Sequence, residues 1–276
     1  MEPTIATFFD LVRPQLLAVE TRMRQTTQAH HPALESALEH LLASGGKRIR
    51  PTVVLLAGDL LNAPRDRIVT LAAAIEMLHT ATLVHDDLID GALLRRGTPT
   101  LNAQWTAGAT VLTGDYVFAR AAHLAAQTGS LDVMEAFART LMTIVNGELS
   151  QLFRSEGAQT LDDYHERIYA KTASLFELAA HGAAMLASAP AAEAEAMRSF
   201  GYNVGLAFQV VDDILDFVGQ STEIGKPVGS DLRHGIITLP VFLFQQLQLL
   251  GGGQEHERRS GEEAGTEHRQ GDRPER

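Results

Sequence analysis

The 276-residue sequence contains no cysteine, which excludes disulfide bonds, thiolate metal sites and a cysteine nucleophile. Basic residues are in the minority, with 23 Lys and Arg against 34 Asp and Glu, so no basic face for nucleic acid is expected. No stretch approaches the roughly 18 uninterrupted apolar residues of a membrane span. The N-terminal Met1-Glu2-Pro3 lacks the basic start of a signal peptide. Together these absences predict a cytoplasmic protein without a transmembrane segment.

Hydrophobic residues make up 45% of the chain, which is enough for a sizeable core. They are unevenly distributed, because residues 251–276 contain no Val, Ile, Leu, Met, Phe, Trp or Tyr. Such a segment cannot bury a face, so we expect 251–276 to be a disordered polar tail. The globular part is then one domain over residues 1–250.

Within this part, apolar residues recur at three- and four-residue spacing and aromatic residues are few, at 6% of the chain. The pattern predicts an all-α helical bundle without strands. Gly45-Gly46 and Pro51 mark a loop, and Pro64 lies where the next helix begins. Further helices are predicted over 103–126, 131–153, 161–188, 191–219 and 238–250.

One pattern, Asp-Asp-x-x-Asp, occurs twice, at Asp86-Asp87-Leu88-Ile89-Asp90 and at Asp212-Asp213-Ile214-Leu215-Asp216. On a helix of about 3.6 residues per turn, the three carboxylates of each cluster are expected on one narrow face. Like charges at this spacing destabilise a helix unless something compensates them. Carboxylate oxygens suit a hard divalent cation, and Mg²⁺ typically takes one or two of them together with waters and substrate phosphates.

The alternative interpretation of each cluster is a solvated acidic helix face. Apolar neighbours such as Leu83-Val84 and Val210-Val211 weigh against it, because they predict a buried setting for both clusters. An anionic substrate would complete the coordination, and cations occur at suitable places, namely Lys47, Arg48, Arg50, Arg95, Arg96, Lys171 and Lys226. Any one of these cations, taken alone, could instead be a surface charge. The glycine loop before Lys47 is not a phosphate-binding Walker A motif, since Arg48 stands where that motif needs Ser or Thr.

Taken together, these segments resemble the trans-isoprenyl diphosphate synthases, also called polyprenyl synthetases. The resemblance covers about residues 5 to 250. It is carried by GGKRIRP at 45–51, EMLHTATLVHDDLID at 76–90, LLRRGTPT at 93–100, KTA at 171–173, FQVVDDILD at 208–216 and GKPVGSDL at 225–232.

The resemblance implies an isoprenoid synthase bundle that condenses isopentenyl diphosphate head-to-tail with an allylic diphosphate, with Mg²⁺ as cofactor and a homodimer as the assembly. It assigns Mg²⁺ to Asp86, Asp90, Asp212 and Asp216, with Asp87 and Asp213 as supporting groups in catalysis. It places Arg95, Lys171, Thr172, Gln209 and Lys226 at the allylic diphosphate. It places Lys47, Arg50, His79 and Arg96 at the isopentenyl diphosphate.

Product length is expected to depend on the residues just before Asp86, where short-chain members of the family tend to carry aromatic side chains. Ala81 and Thr82 stand there, and small side chains leave volume for a long tail. We therefore expect a product longer than C20. Alternatively, Met77 or Leu78 forms the floor of the tunnel and the product is shorter.

The sequence departs from the family pattern in two places. His234-Gly235-Ile236 replaces the usual Glu-Gly-Lys, so one expected cation is missing. The chain also turns into its polar tail where the family has further helices, and we therefore expect the bundle to lack its C-terminal helices. These departures keep open an inactive or partner-dependent subunit as the alternative function. A terpene cyclase is disfavoured because the second aspartate cluster is intact.

Overall fold

The computed structural model describes residues 5–25, 31–43, 45–95, 97–153, 159–219, 229–233 and 235–248. These residues are almost entirely helical, which confirms the all-α prediction. The predicted polar tail 251–276 lies outside them. The helices are α1 Ile5–Gln25, α2 Pro32–Ala43, α3 Ile49–Leu60, α4 Arg65–Ile89, α5 Leu101–Gln104, α6 Ala107–Gln127, α7 Leu131–Leu152, α8 Leu161–Ile168, α9 Ser174–Leu186, α10 Ala191–Val218 and α11 Ser230–Arg233. A last helical segment follows at 239–248.

Helix α4 runs through the centre of the bundle and packs against α6, α3, α1 and α9. Its residues from Leu71 to Ile75 are completely buried, and three of them are alanines that allow neighbouring helices to approach closely. By length and composition α4 could span a membrane, but 72% of its most apolar stretch is buried within the protein. Its hydrophobicity is that of a core helix, and it ends at the first aspartate cluster.

The loop before α3 is shorter than predicted. Pro51 lies inside α3, near its first turn, where the missing N–H of proline leaves no hydrogen bond unmade. The loop therefore ends at Arg48, which adopts the left-handed conformation with φ of 49°. Its guanidinium lies 2.8 Å from the buried carboxylate of Glu76 on α4 and 3.4 Å from Glu20 on α1. Arg48 therefore fastens the loop to the bundle.

A small antiparallel hairpin follows α4, although no strand was predicted. Strand β1, Leu94–Arg95, pairs with β2, Thr98–Pro99. Gly97 has φ of +76° in the intervening turn, a conformation that favours glycine. The hairpin is too short to show an alternating pattern, and it returns Arg95 toward the end of α4.

The predicted helix 161–188 is interrupted by a π-helical segment, Tyr169–Ala173, between α8 and α9. We call these five residues the π segment. A π turn inserts one extra residue into the helix, and such turns are frequent at functional sites. The insertion is invisible in the apolar periodicity because the helix continues on both sides of it.

Candidate active site

The carboxylate of Asp86, in the last turn of α4, is only 14% exposed. The Lys171 ammonium lies 3.6 Å from its Oδ2 and 2.9 Å from Oε1 of Glu148 on α7. Burial raises the pKa of Asp86 to about 6, against the opposing effect of Lys171. Burial lowers the pKa of Lys171, but the two carboxylates more than offset this and raise it overall. Lys171 is therefore a firmly charged cation between two acids.

The other two aspartates of the first cluster differ from Asp86 in their surroundings. Asp87 is buried, and its Oδ1 accepts a hydrogen bond of 2.8 Å from Nε of the Arg95 guanidinium. Asp90 caps the end of α4 and is exposed. Asp87 turns toward the hairpin, whereas Asp90 stays one helical turn after Asp86, with its N–H donating to the carbonyl of Asp86 at 2.8 Å.

In the second cluster, on α10, Asp213 and Asp216 are buried while Asp212 is exposed. Asp213 accepts hydrogen bonds from the Tyr164 hydroxyl and the Gln209 amide, both at 2.8 Å. Burial raises the pKa of Asp213 despite these two bonds. Asp216 accepts a hydrogen bond at 3.2 Å from the backbone N–H of Asp231. The two buried carboxylates of this cluster thus have hydrogen-bond donors within the protein, whereas Asp212 lies at the surface.

The π segment connects the two clusters through consecutive residues. Lys171 contacts Asp86, as described, and the buried Thr172 donates a hydrogen bond of 2.7 Å to the Gln209 Oε1. The Gln209 amide nitrogen in turn donates to Asp213. One turn of chain thus contacts both aspartate clusters, directly in the first case and through one amide in the second.

The chain after α10 packs back on this site. The Gly229 N–H donates to the carbonyl of Asp216 at 2.7 Å. Arg167 on α8 donates to the carbonyl of Ile237 at 2.6 Å, and its guanidinium lies 5.5 Å from the centre of the Tyr164 ring. Phe242 contacts the same ring edge-on. Tyr164 is therefore enclosed, which explains its burial beside Asp213.

Of the residues predicted at the isopentenyl diphosphate, the structure describes all except Arg96. Lys47 is exposed in the loop before α3, while Arg50 lies 4.9 Å above the Phe176 ring. His79 is half-buried on α4, about two turns before Asp86. Arg96 and, at the allylic site, Lys226 lie outside the described residues. His234 does so too, whereas the Ile236 N–H donates to the carbonyl of Asp231.

Two site residues were missed by the sequence reasoning. Glu148 holds Lys171, and Tyr164 holds Asp213. Neither belongs to a motif of aspartates or cations, so only the packing of α7 and α8 reveals them. Glu148 lies one turn before Gln151 on a face of α7 that is otherwise apolar. A polar residue at such a position was the available signal.

The donor set fits a hard divalent cation, because it consists of carboxylate oxygens. In the described part of the chain, no group of three His, Asp or Glu side chains is arranged to hold a metal by itself. This agrees with an ion that takes one or two carboxylates and completes its shell with water and phosphate. The predicted ligands are Asp86, Asp90, the exposed Asp212 and the buried Asp216.

The fold and the site define a helical bundle in which two aspartate clusters are connected by adjacent residues of one π segment. The polyprenyl synthetase family model matches residues 31–259, and the chain belongs to that family. It is 41% identical over 236 residues to heptaprenyl diphosphate synthase component 2 of Geobacillus stearothermophilus, covering 84% of this chain and 73% of that protein.

Solved structures of polyprenyl synthases are similar to this chain as well. A polyprenyl synthase from Caulobacter crescentus, complexed with calcium and isoprenyl diphosphate, matches with a TM-score of 0.83 at 39% identity, over 88% of this chain and 74% of that one. A decaprenyl diphosphate synthase from Rhodobacter capsulatus matches with a TM-score of 0.78 at 39% identity, over 85% of this chain and 73% of that one. The predicted resemblance is therefore confirmed.

Proposed function

We propose that this protein is a Mg²⁺-dependent prenyltransferase that condenses isopentenyl diphosphate with an allylic diphosphate to a polyprenyl diphosphate longer than C20. The observation that carries the proposal is the π segment, whose adjacent residues Lys171 and Thr172 contact the first aspartate cluster and the hydrogen-bonded partner of the second. A substrate held there would touch both clusters at once.

The allylic diphosphate would lie between the clusters. When bound, Mg²⁺ at Asp86, Asp90, Asp212 and Asp216 supplies Lewis acidity to the departing diphosphate. Lys171 adds a fixed positive charge at the same place, which stabilises developing negative charge more than a mobile cation in water would. Gln209 and Thr172 supply neutral hydrogen bonds, while Arg95 and Lys226 complete the predicted set.

The second substrate would be held by Lys47, Arg50, Arg96 and His79. Lys47 is exposed at the loop, and Arg50 projects from the start of α3 over Phe176. No side chain in this group is an obvious general base. The released pyrophosphate would accept the proton lost on condensation, as the family resemblance implies.

A long product is supported by the residues before the first cluster. Helix α4 carries no Phe, Tyr or Trp, and the two positions in question hold the completely buried Ala81 and the half-buried Thr82. The names of the relatives point the same way, since heptaprenyl and decaprenyl denote seven and ten isoprene units. Chromatography of the dephosphorylated products tests the length, and farnesol as the sole product would contradict it.

The direct test of the function is incorporation of labelled isopentenyl diphosphate with C5, C10, C15 or C20 allylic primers, with and without Mg²⁺. Incorporation that requires Mg²⁺ and a primer is expected. Absence of incorporation with every primer would favour the alternative, an inactive or partner-dependent subunit. Fractionation of the producing cells tests the predicted cytoplasmic location.

A homodimer is the proposed assembly, and α7 offers a surface for it. Met142, Val145, Leu149 and Leu152 are all more than 40% exposed and recur at three- and four-residue spacing along one face. Sedimentation should show a dimer for the wild type and a monomer for Leu149→Glu. A monomeric wild type would contradict the proposal.

The partner-dependent alternative is favoured by a second apolar surface. Helix α10 exposes Phe200, Val211, Ile214 and Val218. One relative is named as component 2 of its synthase, which indicates that it works with another component. Under this alternative the purified chain is inactive alone and gains activity in an extract of its native cell.

A further inference from the structure

The loop before α3 carries three cations, and the family resemblance assigns only Lys47 and Arg50 to a substrate. Arg48 lies between them in different surroundings. Lys47 is exposed, whereas the Arg48 side chain is only 15% exposed. Its Nη1 donates a hydrogen bond of 2.8 Å to Oε1 of Glu76, a carboxylate that is only 7% exposed. The positive charge of Arg48 is therefore engaged by an acid inside the bundle.

The backbone of Arg48 adopts a conformation that is uncommon for arginine. Its φ of 49° and ψ of 34° lie in the left-handed region, which is strained for a residue with a Cβ. Its carbonyl accepts hydrogen bonds from the N–H of Thr52 at 3.1 Å and from the hydroxyl of Thr52 at 2.7 Å, so α3 begins here. Such residues persist where their surroundings hold them, and they are concentrated at functional sites. The buried ion pair with Glu76 is the contact that can hold this one.

The left-handed turn lies among the residues predicted at the isopentenyl diphosphate. Lys47 comes just before it, and Arg50 lies in the first turn of α3 just after it. A return of Arg48 to a negative φ would therefore swing Lys47 away from Arg50. Glu76 lies about one turn before His79 on α4. The ion pair thus connects the loop to the helix that carries a third predicted ligand.

We propose that Arg48 and Glu76 are positioning residues for the isopentenyl diphosphate site. Their ion pair holds the left-handed turn and so fixes Lys47 and Arg50 relative to His79. The assignment of these three ligands to isopentenyl diphosphate rests on the proposed function, whereas the ion pair and the turn are features of the fold. Replacing a buried ion pair by apolar residues is often neutral for stability, so we assign to this pair a geometric role.

Steady-state kinetics of Glu76→Gln separate positioning from direct contact with phosphate, because the two roles predict opposite results. If Arg48 positions the loop, loss of its acid loosens the turn, and KM for isopentenyl diphosphate should rise about tenfold with kcat nearly unchanged. If Arg48 binds phosphate itself, loss of the competing acid frees the guanidinium, and this KM should fall. KM for the allylic diphosphate should change less than about twofold, because its predicted ligands lie on other elements. An unchanged or lower KM for isopentenyl diphosphate would overturn the proposal.

Glu20→Gln is the matched control, since it makes the same chemical change at the other acid that Arg48 contacts. That pair is longer, at 3.4 Å, and the Glu20 carboxylate is 44% exposed, so the pair should contribute little. KM for isopentenyl diphosphate should change less than about twofold. An effect as large as that of Glu76→Gln would contradict the role assigned to the buried pair.

A double variant decides the matter if Glu76→Gln does not fold, since a buried guanidinium without its acid is costly. Arg48→Gln combined with Glu76→Gln removes both charges and leaves none of them unpaired. It should fold, and its KM for isopentenyl diphosphate should rise about tenfold, as in Arg48→Gln alone, because each change removes the same ion pair. A wild-type KM in the double variant would refute the positioning role. Failure of this variant to fold would refute it too, because the pair would then be required for folding.

Hydrogen exchange gives a result that does not depend on turnover. In substrate-free protein, the Thr52 amide, which donates to the Arg48 carbonyl, should exchange at least about threefold faster in Glu76→Gln and in the double variant than in the wild type. It should exchange at the wild-type rate in Glu20→Gln. Wild-type exchange in the double variant would mean that the ion pair does not hold the turn. If the wild type condenses no substrate, the proposed function fails, and exchange still decides whether the pair holds the turn.

Discussion

The two aspartate clusters have the same sequence pattern but opposite electrostatic surroundings. In the first, Asp86 faces the Lys171 ammonium and Asp87 faces the Arg95 guanidinium. In the second, Asp213 and Asp216 receive hydrogen bonds from a tyrosine, an amide and a backbone N–H. Among the described contacts, Asp86 and Asp87 are therefore compensated by full positive charges, and Asp213 and Asp216 receive hydrogen bonds from neutral donors.

This difference has consequences for what each cluster can do. A carboxylate that is paired with a cation can exchange that partner for a metal ion with little change in local charge. A buried carboxylate that accepts hydrogen bonds from neutral donors is fixed in place by them, and its negative charge is not neutralised by those donors. Under the proposed function, a metal ion at the first cluster would therefore compete with Lys171 for Asp86.

The largest expected effect comes from removing Asp86. Asp86→Ala deletes both a predicted Mg²⁺ ligand and the carboxylate that faces Lys171, so condensation should fall by at least about 10³-fold. The helical circular dichroism spectrum should remain that of the wild type. Asp132→Ala, at an exposed position in the first turn of α7, is the control and should retain activity. Retained activity in Asp86→Ala would overturn the metal assignment.

A pH experiment on metal-free protein is expected to show the next largest effect. The pKa of Asp86 in the folded protein is about 6, above its ordinary value of 3.8, so the folded state binds this proton more tightly than the unfolded state. The free energy of unfolding should therefore fall as pH rises from about 4 to about 6, by at most about 3 kcal/mol from this group.

Urea unfolding in EDTA, compared between wild type and Asp86→Asn, isolates this contribution. The difference between the two proteins should grow in favour of the variant across that pH range and then level off. Parallel curves would show that burial does not raise the pKa of Asp86, and the contrast between the clusters would lose its electrostatic basis.

The second cluster is probed by Tyr164→Phe, which removes a neutral donor from the buried Asp213. We expect a loss of about 1–3 kcal/mol in the free energy of unfolding, because Asp213 would keep only the Gln209 hydrogen bond. Tyr116→Phe, which removes a hydroxyl with no hydrogen bond to any described residue, should cost less. Equal losses in the two variants would mean that the Tyr164 bond contributes nothing specific.

The sequence predicted well what depends on local periodicity. Helices α6, α7 and α10 begin and end within a few residues of their predicted bounds, because apolar spacing and polar caps such as Ser130 determine them. The π segment escaped prediction, since one inserted residue leaves the spacing on either side unchanged. Pro51 was assigned to a loop, although proline near the first turn suits a helix equally well.

At the site, the sequence identified the charged groups but not how they are compensated. Helical geometry predicted how the three carboxylates of each cluster are spaced, yet their partners come from elements that are distant in the sequence. Glu148 lies 23 residues before Lys171, and Tyr164 lies 49 residues before Asp213. Such pairings are set by tertiary packing, which no local pattern encodes.

The smallest effect should show whether Lys171 competes with a metal ion for Asp86. Lys171 is nearer to Glu148, at 2.9 Å, than to Asp86, at 3.6 Å. Glu148→Gln removes one of these two carboxylates and leaves Lys171 with Asp86. The lysine should then compete more strongly with Mg²⁺ for Asp86. We expect the Mg²⁺ concentration for half-maximal activity to rise about threefold, in line with a partly exposed ion pair. Glu135→Gln, which breaks a surface pair with Arg139, is the matched control. An unchanged Mg²⁺ requirement in Glu148→Gln would show that Lys171 does not compete with the metal ion for Asp86.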